Sequence, residues 1–226
     1  MMKSKFPSEL LERIESCGVI AVLVIDKAEH AVPLAEALLV GGVEVMELTL
    51  RTPAALPALV EIKREVPAMV AGVGTILSVA QVDEALEAGA DFGVSPGVNP
   101  AVVERAAERG LPFAPGIMTP SDIEQAVALG CRELKFFPAE TSGGLDHLTG
   151  IAAPYAHLGL HFIPLGGISS RNMLSYLGCP CVPAVGGSWI APRDMISGGD
   201  WGAIRARAEN ARRVIDDARG DSGKGE

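Results

Sequence analysis

Aromatic residues make up only 4% of this 226-residue chain, and its 19 basic residues are outnumbered by 28 acidic ones, for a formal net charge of −9. A polynucleotide surface needs cations for the phosphates and rings to stack on the bases, so both shortages argue against a nucleic-acid partner. A small anionic ligand stays open, because a few backbone N–H groups and one arginine suffice for a local positive pocket. No apolar run approaches the roughly 20 residues needed to cross a bilayer. The longest lies around Val19 to Ile25, and Met1 to Glu12 has no apolar signal core; the expectation is a cytoplasmic protein with no membrane partner. Cysteine is scarce as well. The four, Cys17, Cys131, Cys179 and Cys181, are too sparse for a disulfide framework and read as reduced thiols. Cys179-Pro180-Cys181 lacks the two-residue spacer of a redox or metal motif and has no second ligand pair, so it reads as a loop leading into a strand.

The chain is rich in hydrophobic residues (48%), with 26 glycines and 16 prolines. That apolar content supports one large core and excludes disorder except at the ends. Glycine and proline recur at intervals rather than in a block, which suggests a repeated unit. Short β-branched runs alternate with segments of helical period: VIAVLVI from Val19 before AEHAVPLAEALLVGG, VEVMELTL from Val43 before 54–65, MVAGVGT from Met69 before 79–88, and DFGVSP from Asp91 before 101–109. PFAPG from Pro112 then precedes 121–129, ELKFF from Glu133 precedes 145–152, HFIPLGG from His161 precedes 171–177, and VPAVGGS from Val182 leads through a Pro- and Gly-rich connection to 201–218. Eight strand-helix pairs of roughly 25 residues each predict a single-domain α/β fold, a (β/α)8 TIM barrel over 19–218. An additional N-terminal helix at 7–16 would cover the barrel floor, and 220–226 reads as a polar tail.

In such a barrel the chemistry gathers where strands end and βα loops begin. Along the second strand Val45, Glu47, Thr49 and Arg51 share a face, which places a carboxylate and a guanidinium near the mouth; a Glu47–Arg51 interaction that merely closes the barrel top would also explain them. On the sixth strand Glu133, Lys135 and Phe137 face inward while Leu134 and Phe136 face the helices. Only a neutral amine attacks a carbonyl, and apolar surroundings disfavour the charged form of an amine. An inward lysine is therefore a candidate nucleophile, the bland alternative being a buried stem whose head reaches solvent or pairs with Glu133. Gly166-Gly167 after the seventh strand and Gly186-Gly187 before Ser188 after the eighth sit where barrels cradle phosphate, and Ile168-Ser169-Ser170 would open a helix with N–H groups aimed at the anion. His30, His147, His157 and His161 show no metal-ligand spacing, so neither metal nor cofactor is expected.

Taken together, EHAVPLAEAL, GGVEVMELTLRT, AGVGT, EAGADFGVSPG, PGIMTPSD, LKFFPAE, GGIS and GGSW occur in the order found in a known family. Over nearly its whole length the chain resembles the 2-dehydro-3-deoxy-6-phosphogluconate aldolases, often also 4-hydroxy-2-oxoglutarate aldolases, which are class I, Schiff-base TIM barrels. The resemblance implies that Lys135 is the Schiff-base lysine and Glu47 the general acid/base. It implies that Arg51 and Thr75 bind the pyruvate part, Phe137 walls the lysine pocket, and Gly166, Gly167 and Ser188 hold the phosphate of a phosphorylated keto-acid substrate. Pro96 and Pro115 would shape the rim, and the assembly would be a homotrimer. The sequence departs from the family at Leu165, where threonine is common and is associated with the stereochemistry of the substrate hydroxyl; leucine can make no hydrogen bond there. The barrel and its cradle would also suit a phosphosugar isomerase or epimerase, a metal-dependent aldolase or a non-catalytic phosphosugar-binding protein.

Overall fold

The β-branched runs become short parallel strands because they are mostly apolar and can be covered by helices outside and side chains inside. In the computed structural model, which describes residues 4–222, the strands are β1 (Val19–Leu23), β2 (Val45–Thr49), β3 (Val70–Gly74), β4 (Gly93–Val94), β5 (Phe113–Ala114), β6 (Gly116–Ile117), β7 (Glu133–Phe136), β8 (His161–Pro164) and β9 (Val185–Gly187). Three helices start where the sequence supplies a capping side chain. Ser78 and Gln81 form a capping box ahead of Val79–Glu87, Thr119 and Asp122 form another ahead of Pro120–Ala128, and Asn99 caps Pro100–Arg109 with proline in its first turn.

The strands pair in two parallel sheets, ordered β5-β4-β3-β2-β1-β9 and β6-β7-β8. They divide at Pro115, which has no N–H to donate: β5 pairs with β4 before it, and β6 pairs with β7 after it. At the other seam one bridge joins Leu165 to Gly186. The fold is thus α/β, with a curled parallel sheet whose hydrogen-bond ladder is in two pieces.

Some boundaries differ from expectation. The segment expected to begin a helix at Ile168 turns instead, with the Ser169 N–H taken by Asn172 Oδ1 at 2.8 Å, and the helix is only Met173–Leu177. The Pro- and Gly-rich connection contains a short helix, Arg193–Gly198. The C-terminal helix, Trp201–Ser222, runs into the expected tail, of which 223–226 lie outside the described residues. No helix among the described residues is long and apolar enough to cross a membrane.

The N-terminal helix forms as Ser8–Cys17 and is ended by Gly18 in a left-handed conformation (φ 69°), whose N–H reaches Ile14 O at 2.9 Å. Phe6, ahead of this helix, and Ile14 within it are buried and line the same interior as Ile20, Phe92 and Val94. Glu133, buried at the start of β7, is held there by the Ser4 hydroxyl, which donates to Oε2 at 2.8 Å. Beside it, Glu133 raises the pKa of His161, chiefly through hydrogen bonding and against the desolvation that opposes it. A raised histidine stabilises the fold below its unfolded pKa of about 6.5, and that contribution is lost as pH rises through the folded value. Urea titrations of the wild type should therefore show this part of the stability falling above pH 6.5, and His161→Gln should flatten the slope; an unchanged slope in the variant would remove His161 as its source.

Candidate active site

The ends of the strands open on a cleft of about 350 Å³ lined by Glu47, Arg51, Thr75, Pro96, Lys135, Phe137, Gly166, Gly167 and Ser188. These include every residue to which the sequence reading gave a catalytic or binding role except Pro115 and Gly186. At its base Lys135 Nζ lies 3.1 Å from Glu47 Oε1 and 3.5 Å from Oε2. Both residues are nearly inaccessible, at 6% and 2% exposure. The alternatives for each are thereby excluded: the lysine neither reaches solvent nor pairs with Glu133, and Glu47 pairs with the lysine rather than with Arg51. Phe137 lies against the amine, its ring centroid 5.4 Å from Nζ. Leu134 and Phe136 are fully buried on the other face, Phe136 stacking on His147 of the helix Gly144–Ala152.

Backbone register makes this contact. Lys135 pairs with Gly116 on one side and Ile163 on the other, and its N–H donates to Pro115 O at 2.9 Å. Pro115 therefore fixes the lysine strand and is not part of the cleft rim, as had been expected of it. Glu47 reaches across β3, and a methyl group on Gly74 would fall on its Oε1. Gly74 was missed as a site residue; the signal was its place inside a strand, where glycine often marks a close approach. Thr49, on the Glu47 face, is the other omission. Its hydroxyl donates to Leu23 O at 2.8 Å and accepts from Arg51 Nε at 3.2 Å, steadying a guanidinium that otherwise stands exposed in the turn after β2.

Thr75 has φ 63°, a left-handed conformation that strains a β-branched residue. Such strain costs on the order of 1–3 kcal/mol and gathers at functional sites. Gly166 and Gly167 have φ of 94° and 85°, where glycine fits without strain, and they present bare backbone to the cleft. A Cβ on Gly167 would collide with Glu140, whose carboxylate accepts a hydrogen bond from the buried Tyr176 hydroxyl at 2.5 Å and whose N–H donates to Gly166 O at 3.0 Å. Of the second glycine pair only Gly187 lines the cleft; Gly186 makes room for the Leu165 side chain, which would lie 2.8 Å from an added Cβ.

A family model described as KDPG and KHG aldolase matches residues 10–207. The chain belongs to the KDPG and KHG aldolase family. Within it, the chain is 45% identical over 201 residues to the 2-dehydro-3-deoxy-phosphogluconate aldolase of Dickeya dadantii, covering 88% of this chain and 93% of that one. It is 44% identical over 193 residues to the KHG/KDPG aldolase of Escherichia coli K12, covering 85% and 90%. The fold superposes with a TM-score of 0.85, at 36% identity and covering 89% and 97%, on a KDPG aldolase from Legionella pneumophila that holds pyruvate as a covalent carbinolamine.

Gly74→Ala should displace the Glu47 carboxylate at a stability cost of about 1–3 kcal/mol, the usual penalty for overpacking. Turnover should fall far more than the folded fraction does. Full activity in a folded variant, judged by circular dichroism beside the cleavage assay, would show that Glu47 does not need this position.

Proposed function

We propose that this chain is a class I aldolase that cleaves 2-dehydro-3-deoxy-6-phosphogluconate to pyruvate and glyceraldehyde 3-phosphate through an imine on Lys135. 4-Hydroxy-2-oxoglutarate would yield pyruvate and glyoxylate by the same steps. The observation that carries this reading is the 3.1 Å contact between a buried amine and a buried carboxylate at the base of an open cleft. Transfer of one proton across that contact leaves a neutral amine and a carboxylic acid, which are the nucleophile and the acid that carbinolamine formation requires.

Lys135 Nζ adds to the substrate C2 carbonyl, and Glu47 gives its proton to the departing hydroxyl, so that water leaves and a protonated imine forms. Glu47, a carboxylate again, accepts the C4 hydroxyl proton as the C3–C4 bond breaks. The bonding electrons pass into the imine to give an enamine, and glyceraldehyde 3-phosphate departs. The proton on Glu47 then goes to C3, and hydrolysis frees pyruvate. Throughout, Arg51 would hold the C1 carboxylate by charge-assisted hydrogen bonds, with Thr75 beside it, while Gly166, Gly167 and Ser188 offer the phosphate backbone N–H groups and a hydroxyl. Pro96 and Phe137 would wall the pocket. We further take the two sheets to close as one eight-stranded barrel and the molecule to act as a cytoplasmic homotrimer, readings supported by the eight strand-helix units and by the family.

Glu47→Gln should lower kcat by about 10²- to 10⁴-fold, the range for a lost general acid/base, and should equally slow exchange of the pyruvate methyl protons with deuterated water. Wild-type exchange in that variant, followed by proton NMR, would remove Glu47 from the proton-transfer role.

Leu165 favours one refinement. It is buried, lines the cleft, and offers an apolar wall where a hydroxyl-bearing residue would grip a substrate hydroxyl. A chain with leucine there should tolerate the galactonate-derived C4 epimer. Leu165→Thr should shift kcat/KM toward the gluconate-derived epimer by about 3- to 10-fold, the worth of one hydrogen bond. Equal epimer ratios in the two proteins would show that Leu165 does not set the preference.

A further inference from the structure

Two cavities lie at the opposite end of the strands from the cleft, on either side of the turn that carries Cys179, Pro180 and Cys181. One, of about 340 Å³, is lined by Cys179 with Glu15, His161 and Arg219; the other, of about 410 Å³, is lined by both cysteines with Tyr155 and His161. The two sulfurs are 3.2 Å apart and partly exposed. Three backbone hydrogen bonds pin the turn: Cys179 N–H to Tyr176 O at 3.0 Å, Val182 N–H to Cys179 O at 2.9 Å, and Phe162 N–H to Cys181 O at 2.8 Å. The thiols are therefore held facing one another with solvent access from both cavities, and closing a bond asks the sulfurs to approach by only about 1 Å. The other two cysteines provide the contrast. Cys17 and Cys131 are buried, and Cys17 donates to Val19 O at 3.1 Å.

We propose that Cys179 and Cys181 form a reversible dithiol–disulfide site, oxidised by a hydroperoxide and reduced by small-molecule thiols. Cys179, which lines both cavities, is the attacking sulfur. Its thiolate displaces alkoxide or hydroxide from the peroxide O–O bond and becomes a sulfenic acid. The Cys181 sulfur then attacks that sulfenic sulfur, and the displaced hydroxide leaves as water with the Cys181 proton. In sum, two thiols and one hydroperoxide give one disulfide, one alcohol (or water, from hydrogen peroxide) and one water. Two small thiols reverse the change, leaving as their own disulfide. Burial, and then the hydrogen bond to Cys179, push the Cys181 thiol up to about 12, so it keeps the proton it must later release. His161, Arg219 and Glu15 are the titratable side chains that share the first cavity with Cys179.

The test treats the full-length protein with hydrogen peroxide at neutral pH, unfolds it, blocks free thiols with N-ethylmaleimide and reads peptide masses. The expected result is a peptide containing 179–181 that has lost the mass of two hydrogens, carries no label, and gains two labels after dithiothreitol, while Cys17 and Cys131 are labelled throughout. Cys181→Ser should leave Cys179 as a sulfenic acid that dimedone traps, and Cys179→Ser should leave Cys181 fully labelled. Full labelling of both cysteines after peroxide, separate oxidation of each to a sulfinic acid, or a disulfide linking two chains would overturn the proposal.

Discussion

An ammonium and a carboxylate buried together are costly to assemble, since removing each ion from water carries a penalty of several kcal/mol that their attraction offsets only in good geometry. Lys135 and Glu47 satisfy that condition across the interior of the molecule. They come from different sheets, the lysine from β7 and the glutamate from β2, so their 3.1 Å separation depends on how the sheets curl toward each other. The space beneath them, bounded by Phe6, Ile14, Ile20, Phe92, Val94 and Ala114, amounts to about 10 Å³, no more than one water needs. With room for at most one water below, the two groups have chiefly each other and whatever enters the cleft from above.

Much of the remaining architecture can be understood as support for that pair. The N-terminal segment packs Phe6 and Ile14 beneath the pair, and the Ser4 hydroxyl donates to the second buried carboxylate, Glu133. Gly74 clears the path along which Glu47 lies, and Pro115 both divides the sheet and accepts the backbone hydrogen bond of Lys135. The strained Thr75 sits at the same mouth. Stability is spent at one end of the strands and recovered in the apolar interior below, as expected of a site built on a rigid scaffold. The opposite end carries the paired cysteines.

What could be read from the sequence was governed by periodicity. Alternation along β2 and β7 was enough to turn Glu47 and Lys135 inward, because a buried parallel strand gives each side chain only two directions. Arg51, the glycine pairs and Ser188 followed from their places at strand ends, whereas Thr75 and Pro96 came only from the family resemblance. Which partner Lys135 would take did not follow, since Glu133 and Glu47 were both inward acids and only the curl of the sheets distinguishes them. Gly74 and Thr49 were given no role because what they do is steric or indirect, set by the path of a neighbouring side chain. The Ile168-Ser169-Ser170 segment had the composition of a helix start, but Asn172 took the Ser169 N–H and delayed the helix to Met173. Pro115 was visible as a proline; its consequence, a ladder in two pieces, depends on strands distant in sequence.

The account rests on Lys135 becoming covalently attached to a keto acid, and borohydride reduction in the presence of pyruvate tests this directly. The reduced protein should gain one pyruvate-derived adduct, with peptide mass placing it on Lys135 and enzyme activity lost in proportion. No adduct, or an adduct on another lysine with Lys135 unmodified, would contradict it.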